Sequence, residues 1–179
     1  EPISNALTLS DGTKVFFQGR AFNSAFEGEG PYPDDCLLVN RVSASDVAQC
    51  STACIQGTGD GRWLSSHSVY GQSNAVFEAK LLDDNTAVLS LQGSNDAPKW
   101  YAWIDLTQDK LIAETDTEAF NPVLLSCGGS LVEAQRYSAG VMLKKFDVKS
   151  DGDLQTSYSL ISSADGAMDA GNSNCAVYR

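Results

Sequence analysis

No apolar run in this chain approaches the ~20 residues that a membrane-spanning helix requires, so no membrane insertion is expected. Basic residues are scarce as well. Twelve Lys and Arg stand against 23 Asp and Glu, for a net charge of −11. Such a surface repels phosphate backbones and anionic headgroups, so no nucleic-acid partner is expected. Acidity of this kind serves solubility. Histidine occurs once, as His67, and a Ser-His-Asp triad would have to use it. Its setting, Ser65-Ser66-His67-Ser68, reads as a polar surface loop, and no Gly-x-Ser-x-Gly elbow exists. Cys-x-x-Cys is absent, which argues against a structural zinc site and a thioredoxin-type pair. Gly-rich phosphate loops and basic aromatic stripes are missing, and Asn-x-Ser/Thr is absent, so no N-glycan is expected. The sequence lacks a basic start followed by an apolar stretch. Its first residues, Glu1-Pro2 without an initiator Met, read as a processed N-terminus, or equally as a trimmed one.

What is present describes a folded chain. Hydrophobic content of 42% supports a core, and charged content of 20% lies below the ~25% usual for globular chains. The expectation is one all-β domain spanning residues 1–179. Five cysteines, Cys36, Cys50, Cys54, Cys127 and Cys175, are read as two disulfides with one thiol left over, without a choice of pairing. The competing reading is reduced cysteines packed as small hydrophobes. Disulfides imply a secreted, extracellular protein.

Period-two alternation carries the fold. Phe77, Ala79 and Leu81 share one face of an extended segment; Ala87, Leu89 and Leu91 share another. Trp100, Ala102, Ile104 and Leu106 do the same. Strands are expected at 6–10, 13–19, 36–40, 76–82, 86–92, 99–106, 110–114, 122–127, 131–137, 141–148 and 156–161, with Ala176–Tyr178 tied down by Cys175. Asp11-Gly12 between two such runs is a hairpin signal. Ser45 to Cys54 is expected to be the single helix. Ser43 or Ser45 would cap it, and Cys50 and Cys54 would share one face and staple it to the β core. About a dozen short strands with turns every ~8–12 residues indicate an antiparallel β-sandwich or barrel, with a β-trefoil as the alternative.

Tyr101 and Trp103 point away from the inward Trp100, Ala102 and Ile104. Same-face residues two apart lie ~6.5–7 Å from each other and could present a flat strip to the apolar face of a sugar ring. Trp63, in the long polar loop 61–74, could assist. The competing reading is a strand buried on both faces. The expected function is a secreted, monomeric, non-enzymatic protein that binds extracellular glycan or cell-wall polymer through Tyr101, Trp103 and Trp63.

Two alternatives come from other classes. One is a polysaccharide hydrolase using two carboxylates drawn from Glu78, Glu114 and Glu133, with Glu27 and Glu29 more simply solvated in a Gly/Pro-rich loop. The other is an effector or inhibitor that binds a host protein through the loops 19–35 or 57–74. Cys127-Gly128-Gly129-Ser130 lacks a base and is read as structural. No cofactor is expected. Calcium could be held by Asp147, Asp151 and Asp153, although an ordinary Asp-Gly turn accounts for them.

Overall fold

The structure, a computed structural model, describes residues 3–19, 36–56, 76–92, 98–119, 122–138 and 140–162. They form twelve strands: β1 (Leu7–Thr8), β2 (Lys14–Gly19), β3 (Cys36–Val42), β4 (Cys50–Gln56), β5 (Val76–Asp83), β6 (Thr86–Gln92), β7 (Pro98–Asp105), β8 (Lys110–Asp116), β9 (Val123–Cys127), β10 (Ser130–Tyr137), β11 (Gly140–Val148) and β12 (Leu154–Ser162). The strands make three antiparallel meanders of four: an N-terminal sheet β1 to β4, a central sheet β5 to β8 and a C-terminal sheet β9 to β12. Each sheet is open, with no pairing between its outer strands among the described residues. The sandwich expectation therefore holds, and neither a barrel nor the trefoil alternative, both of which need closure, describes these sheets.

Turn chemistry explains the short connections. Gly128 and Gly129 form the two-residue β9–β10 loop between the paired Cys127 and Ser130, with φ of +57° and +82°. Two consecutive positive φ values define the hairpin turn whose twist matches its strands. Gly12 in the β1–β2 turn has φ +84°, and a Cβ there would come 2.9 Å from the Ala44 Cβ. Any side chain would push apart two neighbouring turns of the N-terminal sheet.

The three sheets stack in layers. Val15, Phe17, Leu37, Val39 and Ile55 of the N-terminal sheet form one buried cluster with Ala79, Ala87, Leu89, Trp100, Ala102 and Ile104 of the central sheet. The opposite face of the central sheet, through Val88, Tyr101, Trp103 and Ala113, forms a second cluster with Leu131 and Phe146 of the C-terminal sheet. The central sheet is thus covered on both sides, and β7 is buried at every residue from Trp100 to Ile104. Arg41 locks the first interface at its rim, donating to the Leu106 carbonyl at 2.7 Å and pairing with Asp109 at 2.5 Å.

The expected helix is corrected. Residues 50–56 form β4, paired with β3 from Cys36↔Gln56 to Val42↔Cys50. The short polar side chains of Ser43 and Asp46 close a turn instead, with Ser43 Oγ accepting from the Ser45 N–H at 3.3 Å. Asp46 accepts from the Ala48 N–H at 2.9 Å, its carbonyl accepts from Gln49 N–H at 2.9 Å, and Ser43 N–H donates to the Gln49 carbonyl at 3.0 Å. Short polar side chains satisfy turns as readily as helix ends. Ala53 and Ile55 alternate inward and extend the cover over the central sheet, so pairing with β3 outweighs weak helix propensity. The two-point cysteine staple is corrected too. Cys50 is a free, exposed thiol, whereas Cys54 and Cys127 are disulfide-bonded.

Candidate functional site

The proposed aromatic strip of β7 is where the structure departs most from expectation. Tyr101 and Trp103 do share a face, with ring centroids 6.5 Å apart, but they are 0% and 1% exposed. Phe146 of β11 packs against both, at 5.7 Å and 5.8 Å, and Leu131 closes over them. No ligand reaches these rings while the two sheets are together. Trp63, His67, Glu27, Glu29, Cys175 and the loops expected to contact a host protein lie outside the described residues.

Of the strand carboxylates, Glu114 parts from the other two, which share the side of the central sheet that carries Tyr101. Glu114 lies toward the N-terminal side of the central sheet and accepts from Trp100 Nε1 at 3.1 Å. Glu133 lies on the other side, 5% exposed, and its Oε2 accepts from the Tyr101 hydroxyl at 2.6 Å and from Thr117 at 2.8 Å. Glu78 is exposed, in register with Ser90, and adds a repulsive field at the Tyr101 hydroxyl. Burial, reinforced by the Glu133 hydrogen bond and charge, raises the Tyr101 pKa well above that of an ordinary phenol. The hydroxyl therefore stays a donor. Glu133 joins β10 to β7 and to the segment after β8, an arrangement that links sheets. In the same interface, Ser90 Oγ and Trp103 Nε1 are buried without a hydrogen-bond partner.

The acidic turn behaves as a turn. Asp147 accepts from Ser130 and pairs with Lys145 at 3.0 Å; these contacts, led by the Ser130 hydrogen bond, lower its pKa. Asp151 accepts from the Asp153 N–H at 3.1 Å. Among the described residues no group of three metal-ligating side chains converges. Nor is any helix among them long and apolar enough to cross a membrane.

What the structure does expose is the far part of the C-terminal sheet. Register places Glu133, Lys144 and Tyr158 in one row, and Gln135, Met142 and Leu160 in the next. Alternation turns all six side chains to the face that, nearer Leu131 and Phe146, packs on the central sheet. β12 extends past that cover: Tyr158 is 61% exposed and Leu160 is 59% exposed. Tyr137, at 47%, sits further along the same face of β10, its hydroxyl donating to Gln135 at 2.9 Å. The Lys144 ammonium lies 4.8 Å from the Phe146 ring centroid and 5.7 Å from that of Tyr158, bridging the buried and open parts of the face. Tyr137 and Tyr158 are two strands and four residues apart, roughly 16 Å by strand geometry. The strand expected at 156–161 contained this surface, but alternation alone does not reveal which strand outruns its neighbours.

No protein-family model matches the chain, and no curated protein matches it.

Proposed function

We propose that the chain is a non-enzymatic binding protein of the extracellular space that holds a glycan or cell-wall polymer on the open face of the C-terminal sheet. The reading rests on the exposed Tyr158 ring beside Leu160, with Tyr137 further along the same face and the Lys144 ammonium at its inner border. Aromatic faces stack on the C–H faces of sugar rings, while Lys144 and Gln135 supply a donor and an amide for hydroxyls. A flat strip with rings roughly 16 Å apart suits a chain of sugars, since small ligands prefer concave sites that enclose them. Disulfide bonding at Cys54 and Cys127 supports the extracellular setting.

The test is retention on insoluble cellulose, chitin, xylan and β-glucan, with Tyr158→Ala and Tyr137→Ala as variants. Wild-type protein should be retained on at least one polymer, and Tyr158→Ala should weaken binding by about tenfold, equivalent to about 1.4 kcal/mol. Retention on none of them, or retention unchanged in the double variant, contradicts the proposal.

A further inference from the structure

We infer that β12 is a self-association edge, through which two copies pair antiparallel to join their C-terminal sheets into one eight-stranded sheet. The inference does not depend on what the open face binds. β12 is 9 residues long, Leu-Gln-Thr-Ser-Tyr-Ser-Leu-Ile-Ser, with no charge and no proline. It ends its sheet, with β11 as its only strand partner among the described residues, and Gln155 to Leu160 are all exposed. Such an edge offers a row of free N–H and C=O groups, which proteins ordinarily blunt with charge, proline or brevity. The other edges are shorter, charged or close to a neighbouring sheet. β1 has only 2 residues, β5 and β8 carry charged side chains, and the uncharged β4 and β9 have 7 and 5 residues and run close to β8 and β5.

Charge selects a second copy as the occupant. In a two-fold antiparallel pair each residue near the axis meets its own kind, so any charge there opposes itself. A strand free of charge meets that condition; a partner of different sequence would not require it. The surroundings point the same way. Residues 122–162 hold four basic and four acidic residues, whereas residues 76–119 hold three and nine. In a chain of net charge −11, two copies approach with less repulsion at the C-terminal sheet than at the central one. Full-length pairing puts Tyr158 against Tyr158 on the axis, Ser157 against Ser159, and Thr156 against Leu160. The open faces of the two copies then become one surface with twice the length.

The experiment is sedimentation equilibrium across a concentration series, in a Cys50→Ser background that removes intermolecular disulfides through the exposed thiol. A concentration-dependent dimer is expected. Ser157→Lys/Ser159→Lys sets lysine against lysine twice and should raise the dimer dissociation constant by roughly 100-fold. Circular dichroism should show the fold intact, because both positions are exposed. Mixing that variant with Ser157→Glu/Ser159→Glu should restore dimers as one-to-one heterodimers. A chain that stays monomeric at every concentration overturns the inference, and so does a dimer indifferent to both double variants. Ser157 and Ser159 lie on the sheet face opposite Tyr158, so polymer retention by the lysine variant reports on the open face separately.

Discussion

Strand β7 gives Trp100, Ala102 and Ile104 to one neighbouring sheet and Tyr101 and Trp103 to the other, and the two neighbours receive them differently. The N-terminal sheet answers with Val15, Phe17, Leu37 and Val39, an apolar cluster with the Arg41–Asp109 ion pair at the rim. The C-terminal sheet answers with Leu131 and Phe146, but also with a buried carboxylate held by two hydroxyls. The apolar cluster of the first interface is non-directional, and its directional contacts, from Arg41 to the Leu106 carbonyl and from the Asn5 side chain to the Ala79 backbone, lie outside that cluster. The second has a fixed geometry, because Glu133 without its donors would be a buried charge with uncompensated desolvation. One strand therefore builds two cores of different kinds, and only the second depends on a proton staying on Tyr101.

The largest effects should come from emptying either core. Phe17→Ala and Trp103→Ala should each cost about 3–5 kcal/mol, read as a fall in the urea midpoint. A loss under about 1 kcal/mol at either site would mean that its interface is not packed as described. Next comes Tyr101→Phe, which removes one donor from Glu133 and should cost about 1.5–3 kcal/mol at neutral pH. It should also change the alkaline limb. A phenol whose folded pKa is raised keeps its proton in the folded state while the unfolded chain releases it. Its stabilising contribution is complete below about pH 10 and declines as pH rises beyond that. Wild-type stability should therefore fall more steeply above about pH 10 than that of Tyr101→Phe; parallel slopes would remove the proton-holding role. The smallest effect should be Ser90→Ala, which deletes a buried hydroxyl without a partner and should be neutral or stabilising by up to about 1 kcal/mol. A clear destabilisation would show that Ser90 has a partner in solution.

Much of the fold could be read from residue order, because two-residue alternation survives whatever covers a strand. Thr86–Gln92 is the strand expected there, and the inward phase of Trp100, Ala102 and Ile104 is the observed one. The same alternation could not tell an exposed Tyr101 and Trp103 from buried ones. Their cover arrives from Leu131 and Phe146, far along the chain, and a strand carries no mark of which later sheet lands on it. Glu133 gives no local sign of its burial either, since its two donors come from Tyr101 and Thr117 across the interface. Around Ser43 to Cys50, short polar side chains suit a helix start as well as a turn, because both use the same side-chain chemistry. At the other extreme, the exposure of Tyr158 and Leu160 follows from β12 standing at the end of its sheet, which is a property of topology.

Amide hydrogen exchange at neutral pH tests the double cover of the central sheet most directly. Amides of Leu89 and Ser90 in β6 and of Tyr101 to Trp103 in β7 should exchange only with global unfolding, while those of β12 should exchange through local opening at far lower cost. Central amides that exchange as quickly as those of β12 would contradict a sheet buried on both faces.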